Sequence, residues 1–133
     1  MTDFEPFPDA EALVSQGLRD AAIVGLDERV YSSIPKSPTF PLVTVQRIGG
    51  LPLERHAYDR ARIQVDVWGQ TKTEAYYIAQ AARVAIHRME NTAPTGAVIS
   101  GVLDDLGLTW QPDPRTARDR YLFGVAVILR YAA

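Results

Sequence analysis

The side chains that most often perform catalysis are sparse in this sequence. Cysteine is absent, and the two histidines are His56 and His87. His56 lies near Glu54 and Asp59, and together these groups could form a weak metal or acid–base site. So polar a segment is far more typical of a solvated loop. His87 follows Arg83 by about one helical turn, and we expect it at the surface near a helix end, where positive charge is favoured.

Two sets of charged residues in the second half of the chain also have a possible functional role. Asp104 and Asp105 could be a carboxylate pair for general acid–base catalysis, but their surroundings predict a hairpin turn. Arg115, Arg118 and Arg120 could contact a phosphate or pair with a neighbouring subunit. Because two aspartates lie among these arginines, a mixed, solvated loop is the simpler interpretation.

Sequence motifs for catalysis are missing as well. The pair Gly49-Gly50 lacks the flanking glycines of a dinucleotide or phosphate loop, so it indicates turn chemistry. Neither a G-x-S-x-G nor an H-E-x-x-H motif is present. The sequence therefore predicts no enzymatic activity, no cofactor and no metal site.

Composition narrows the class of protein further. A length of 133 residues predicts a single domain over residues 1–133. A formal net charge of -2 argues against general nucleic-acid binding, which usually needs a clustered basic face. No apolar run approaches the ~20 residues that cross a bilayer, and the acidic N-terminus predicts no signal peptide. We expect a protein made in a cytoplasm, or assembled into something made there.

The clearest structural pattern is a strand that leads directly into a helix. Residues 61–69 alternate, with Ile63, Val65 and Val67 on one face, which predicts a strand with that face in the core. Thr71 and Glu74 then form a capping box, in which Glu74 is expected to bond back to the N–H of residue 71. A helix over about 72–90 follows, with an apolar stripe of Ala75, Ile78, Ala79, Ala82, Ile86 and Met89.

Weaker patterns predict the remaining elements. In chain order they are a helix over about 10–21 capped by Asp9, a short strand at 29–31, a strand at 42–48 ended by Gly49-Gly50, a long loop at 51–60, a hairpin of 97–103 and 108–110 around a turn at 104–107, a polar loop at 112–119, and a last strand at 120–130. The last strand is apolar on both faces, so we expect it inside the sheet.

The expected loop at 51–60 is the best candidate for function. Leu51 and Leu53 need apolar cover, either beneath the loop or on a partner. Glu54 and Arg55 beside them give the charged rim that is typical of a protein contact. Trp68, on the face opposite Val67, is a further candidate exposed position.

The order and spacing of three segments resemble one protein family. These segments are Leu42–Gly50 with its terminal Gly-Gly, Asp66-Val-Trp68 before the capped helix, and Arg120-Tyr121 at the start of the last strand. From the first helix to the last strand, the chain resembles the tail terminator (tail completion) proteins of long-tailed bacteriophages.

The resemblance implies an α+β fold, with a mostly antiparallel sheet and two helices packed against it. It implies a structural subunit of the virion tail or neck, without catalysis. Such subunits form a hexameric ring that caps the tail tube, stops its polymerisation and meets the head-tail connector protein. DNA only passes through the lumen. The expected partners are further copies of the chain, the tail tube protein and the connector, without a membrane, through Leu51, Leu53, Glu54, Arg55, Trp68, Arg115 and Arg118.

Two alternatives remain at this point. A head-closure or adaptor protein of the neck is also a small ring-forming α+β subunit, and it would differ in its partners. A small-molecule-binding α+β domain would need a deep pocket with convergent polar groups. The sequence does not assemble such a pocket.

Overall fold

The computed structural model describes residues 6–55 and 57–131. The expectation about a signal peptide and the candidate site residue His56 therefore lie outside the described part. Within it, the elements are α1 (Ala10–Asp20), β1 (Val30–Tyr31), β2 (Leu42–Leu53), β3 (Tyr58–Trp68), α2 (Lys72–His87), a short 3-10 turn (Pro94–Gly96), β4 (Ala97–Trp110) and β5 (Arg120–Tyr131).

The strands form one sheet in the order β1-β2-β3-β5-β4. Only β1 pairs in parallel, and the other neighbours are antiparallel. Both helices contribute to the core on one face of the sheet, with α1 against β1, β2 and β3, and α2 against β3, β5 and β4. This arrangement confirms the expected α+β fold, and it confirms β5 as an interior strand.

The core lies where the alternating strand predicted it. Ile63, Val65 and Val67 are fully buried, and they share one apolar cluster with Ile78 and Ala82 of α2. Burying a side chain of this size stabilises a fold by about 1.5–3 kcal/mol. In the described ranges, no helix lies on the other face of the sheet, which is called the open face below. From β3 this face receives Arg62, Gln64, Asp66 and Trp68.

The capping box of α2 is present with one shift. Thr71 Oγ1 accepts from the N–H of Glu74 at 3.1 Å, as expected. The Glu74 carboxylate accepts from the N–H of Gln70 at 2.8 Å, one residue earlier than expected. The helix itself ends at His87, and the chain turns at Asn91, whose φ is 65°, to pair with β4.

Helix α1 depends on its contact with α2. Asp9 caps it by accepting from the N–H of Ala12 at 3.0 Å, as predicted. A side chain at Gly17 would place its Cβ 2.6 Å from the sulfur of Met89, so glycine permits the close approach of the two helices. Ala21, the last residue of the predicted helix, is exposed beyond the end of α1.

The predicted loop at 51–60 is wrong, because β2 continues through the paired glycines. The register shifts between Arg47 and Gly49, which marks a β-bulge, and pairing then extends to Leu53. Gly50 has φ 114°, and a Cβ there would collide with the carbonyl oxygen of Arg60. The glycines therefore permit a bulge and a close approach of the two strands, whereas they were predicted to end the strand.

The predicted turn at 104–107 is also wrong. Residues 97–110 form one strand, and they pair with β5 along their whole length. Register shifts between Ile99 and Gly101, between Asp104 and Leu106, and beyond Leu106 absorb the irregular residues. Aspartate and glycine are as compatible with bulges as with turns, so composition alone misplaced this segment.

Candidate interaction site

The outer parts of β2 and β3 form a hairpin arm, defined here as residues 49–62. Pairing continues to its tip, where Leu53 lies opposite Tyr58. The N–H of Ala57 donates to the carbonyl of Glu54 at 3.1 Å, and Glu54 and Arg55 have φ values of 51° and 53°. Neither residue type favours that conformation, so the turn could not be predicted from these residues.

Both leucines of the arm lie on the open face. Leu51 is paired with Arg60, and Leu53 with Tyr58. Directly opposed residues share a face, and Arg60 belongs to the same alternating set as Arg62. Leu51 is 72% exposed and Leu53 is 37% exposed. The expectation that they need cover from a partner therefore remains a prediction, because the chain itself leaves them largely uncovered.

An ion pair links Arg47, just before the arm, to Asp59, which lies opposite Pro52 near the tip of the arm. Asp59 is 1% exposed, and Arg47 donates to it through both terminal nitrogens of the guanidinium, one at 2.7 Å. These hydrogen bonds raise the pKa of Arg47. The backbone N–H of Arg47 also donates to Glu11 of α1 at 2.9 Å. Asp59 is therefore paired with Arg47, and through Arg47 the arm is linked to α1.

That pairing weighs against the weak metal or acid–base site considered for His56, Glu54 and Asp59. Glu54 lies at the exposed tip, whereas Asp59 lies buried against Arg47. Across residues 6–55 and 57–131, no group of three acidic, histidine or cysteine side chains could hold a metal ion.

The prediction that Trp68 is an exposed contact position is wrong. It is 4% exposed, and its indole N–H donates to Asp113 at 3.1 Å. The pKa of Asp113 is lowered, first by the backbone N–H of Arg115 and then by other groups that include Trp68. The loop after β4 therefore folds over this end of the open face, a covering that the alternation of β3 could not predict.

Arg115 and Arg118 lie in that loop and are exposed, so their predicted contact with a partner stays a prediction. The Arg118 guanidinium stacks 3.9 Å from the ring centre of Phe40. Arg115 lines a groove of about 660 Å³ on the open face together with Asp66 and Arg120.

The two carboxylates of this groove and Arg120 are engaged within the chain. Gln64 donates to Asp66 at 2.9 Å, and Arg120 approaches the same carboxylate at 3.7 Å. Burial raises the pKa of Asp66 more strongly than these contacts lower it. The second carboxylate, Asp113, is held by Trp68. Such a groove does not offer the free convergent polar groups that the small-molecule alternative requires.

Asp104 and Asp105 point to opposite faces of the sheet. Asp104 accepts from Arg83 at 3.0 and 2.6 Å and lies 2.9 Å from His87 Nε2. Arg83 first and then His87 lower the pKa of Asp104 to about 2. Asp105 instead accepts from Arg62 on the open face at 3.0 Å. The two carboxylates therefore cannot act together on one substrate.

The outer side of α2 belongs to a second exposed apolar surface, which was not predicted from the sequence. Val24 is 93% exposed, Tyr77 67% and Val84 40%. With Ala81 and Ala85 they line a groove of about 500 Å³, called the α2 groove below. The spacing of residues 77, 81 and 84 is a second helical stripe, and it could have been found had both sides of the helix been tested.

Comparisons with known proteins agree with this architecture. A chain in a structure described as "Virion of native gene transfer agent (GTA) particle" superposes with a TM-score of 0.56 at 15% identity. The match covers 90% of this chain and 94% of that chain, and it shows a shared fold. No curated protein sequence matches the chain. In the described residues, no helix is long and apolar enough to cross a membrane.

A small α+β subunit with exposed apolar surfaces and internally paired charges has the properties of a structural protein. The family model described as "Tail completion protein gp17" matches residues 11–125, and the chain belongs to that family. It is therefore a phage tail completion protein, a structural and non-enzymatic component of the virion tail. The resemblance inferred from the sequence is confirmed.

Proposed function

We propose that this protein is the terminator subunit of its tail. In this proposal, copies of the chain close into a hexameric ring on the end of the tail tube and stop its polymerisation. The ring also offers the surface to which the head-tail connector protein binds. Family membership supports a role in tail completion, and the separate surfaces of the chain support the ring.

The observation that carries the proposal is the presence of two different exposed apolar surfaces on one small chain. One is the arm, with Leu51 and Leu53, and the other is the α2 groove, with Val24, Tyr77 and Val84. A cyclic ring with head-to-tail contacts uses two different patches on each subunit. A self-complementary dimer would need only one.

The charge balance is compatible with a ring through which DNA passes. A formal net charge of -2 gives the chain no general excess of cations to hold phosphates. Arg115 and Arg118 are exposed on the loop after β4, and we assign them to contacts with a neighbouring virion protein. The tail tube protein and the connector are the expected partners.

Assembly in solution provides the first test. Native mass spectrometry and light scattering over a concentration series should show a hexamer, alone or with monomer. The same sample should bind purified tail tubes at one end and prevent their extension by added tube protein. A protein that stays monomeric even with tubes present would contradict the proposal.

The arm provides a second test, through the double variant Leu51→Ser, Leu53→Ser. A fully buried leucine contributes about 1.5–3 kcal/mol, so loss of two such contacts should strongly weaken assembly. Thermal unfolding should change little, because both side chains are exposed in the subunit. Tail length and head joining in an assembly assay are the measurements.

The matched control is Leu103→Ser, Leu106→Ser on β4. These leucines are exposed to similar degrees, 46% and 45%, but they lie outside the arm. The control should assemble like the natural protein. Tails of normal length joined to heads from the arm variant would overturn the role of the arm, and an arm variant that fails to fold would place its leucines in the core.

A further inference from the structure

The two apolar surfaces of the chain lie on opposite sides of the sheet. Leu51 and Leu53 face the open side, whereas the α2 groove is on the outside of the helix layer. A subunit therefore cannot bring its own arm to its own groove. If each surface is covered in the ring, the cover for one can come from the other surface of a neighbour.

The α2 groove is unusual because α2 is apolar on both sides. Its inner side buries Ala75, Ile78, Ala79, Ala82 and Ile86 against the sheet. Its outer side still presents Tyr77, Ala81 and Val84 to solvent. A surface helix normally carries polar residues on that side, so a second apolar stripe indicates a second contact.

The dimensions of the arm and the groove agree. Leu51 and Leu53 are two residues apart on one strand face, which separates them by about 7 Å. Tyr77 and Val84 are seven residues apart on a helix, so the groove extends over about 10 Å along α2. Alanines at positions 81 and 85 leave room between the larger side chains.

The charges at the ends also agree. Arg88 is the charged residue among those that line the α2 groove, and it lies one turn beyond Val84. Glu54 follows Leu53 directly at the exposed tip of the arm. With Leu51 near Tyr77 and Leu53 near Val84, Glu54 comes to the end of the groove that holds Arg88. The opposite orientation would bring Glu54 to the uncharged end.

We propose that the arm of each subunit docks Leu51 and Leu53 into the α2 groove of a second copy of this chain, with Glu54 against Arg88. This inference rests on the proposed ring and names its interface. The contact is head-to-tail, because the donor surface and the acceptor surface differ. Repeated around an axis, such a contact closes into a ring when the rotation between subunits divides a full turn.

Cysteine cross-linking tests the contact directly, since the natural chain contains no cysteine. A chain with both Leu51→Cys and Tyr77→Cys should give, on mild oxidation, a ladder of disulfide-linked multimers on a non-reducing gel. A mixture of the two single variants should give linked dimers only. As control, Leu51→Cys combined with Thr109→Cys, an exposed position on β4, should give no ladder.

Charge reversal tests the orientation. Glu54→Arg or Arg88→Glu alone should raise the concentration for half-assembly by roughly two- to five-fold, as expected for a solvent-exposed ion pair. The two reversals together in one chain should restore most of the loss. Equal effects of the single and double variants would exclude the Glu54–Arg88 contact.

The outcomes separate this inference from the proposed function. Rings that form without cross-links between positions 51 and 77 would overturn the interface and leave the ring intact. Cross-links from Leu51→Cys to tail tube protein would assign the arm to the tube and also overturn the inference. A protein that forms no ring under any condition would overturn both proposals.

Discussion

The β2–β3 pair has two parts with different roles. They are the inner half, where residues 42–47 pair with 63–68, and the arm. In the inner half, Val65 lies opposite Val45 and Phe123, and all three side chains are fully buried. In the arm, Leu51 lies opposite Arg60, and both are exposed. One continuous ladder therefore passes from the core of the subunit to a surface with no cover of its own.

The difference shows where stability and assembly are located. The inner half is covered by the helices, so its apolar residues contribute to the free energy of unfolding of the subunit. The arm is held by its ladder, by the pairing of residues 59–62 with β5 and by the pair of Arg47 with Asp59, so its leucines remain available. We expect changes in the inner half to unfold the protein and changes in the arm to act mainly on assembly.

The largest expected effect is that of Val65→Asp in the inner half. This change would bury an unpaired carboxylate among apolar side chains, at a cost of several kcal/mol. Domains of this size are stable by about 5–15 kcal/mol, so the loss would be a large share of the total. Thermal or urea unfolding, monitored by circular dichroism, measures it.

The control for that variant is Val24→Asp, the same substitution at a valine that is 93% exposed. It should change the free energy of unfolding by no more than about 0.5 kcal/mol. An unchanged melting temperature for Val65→Asp would show that the assigned faces of β3 are wrong.

A smaller effect is expected for Gly50→Ala, at the bulge where the arm begins. Alanine would have to adopt a φ of 114° and would meet the carbonyl of Arg60. Backbone strain of this kind costs about 1–3 kcal/mol. The cost should fall on the arm, so hydrogen exchange should rise at residues 51–60 more than in the inner half.

Gly107→Ala is the matched control, because a Cβ at Gly107 meets nothing within 4 Å. Its unfolding and its hydrogen exchange should stay close to those of the natural protein. If Gly50→Ala instead accelerated exchange equally in the inner half, the arm and the inner half would be one cooperative unit.

The sequence predicted the inner half well because its evidence is local. The alternation of β3 and the Thr71 cap each depend on residues within one turn or one strand. The core beneath α2 follows from those two patterns together. The helix-covered face could therefore be predicted before any tertiary contact was known, whereas the fold class was implied by the family resemblance.

The arm and the covered Trp68 depend on contacts between distant residues. Gly50 is read as a strand end from sequence, and only the register shift before it and its approach to Arg60 show that the strand continues past a bulge. Trp68 alternates like an exposed residue, and only Asp113, far along the chain, buries it. Leu51 and Leu53 were predicted to be exposed apolar positions. The groove on α2 was not predicted, because the apolar stripe of that helix was assigned to one side only.

The smallest expected effect concerns the charged cluster of Asp104, Arg83 and His87 beside the inner half. The pKa of Asp104 lies at about 2, below its ordinary value near 3.8, because Arg83 and then His87 bind the carboxylate. A depressed folded-state pKa stabilises the fold above the unfolded pKa, and this stability is lost as the pH falls from about 4 towards 2. The side chains of Asp104 and Arg83 are 46% and 35% exposed, so solvent screening limits the contribution to at most about 1 kcal/mol.

The measurement is the difference in melting temperature between the natural protein and Asp104→Asn. At about pH 5 the variant should be slightly less stable, and the difference should shrink at about pH 2.5 as the natural carboxylate becomes protonated. Arg83→Gln should remove most of the same pH dependence, because it removes the largest cause of the lowered pKa. A difference as large as that of Val65→Asp would mean that this ion pair between β4 and α2 stabilises the fold as strongly as apolar burial in the inner half does. A difference that did not change with pH would show that Asp104 is not paired in solution as it is in the structure.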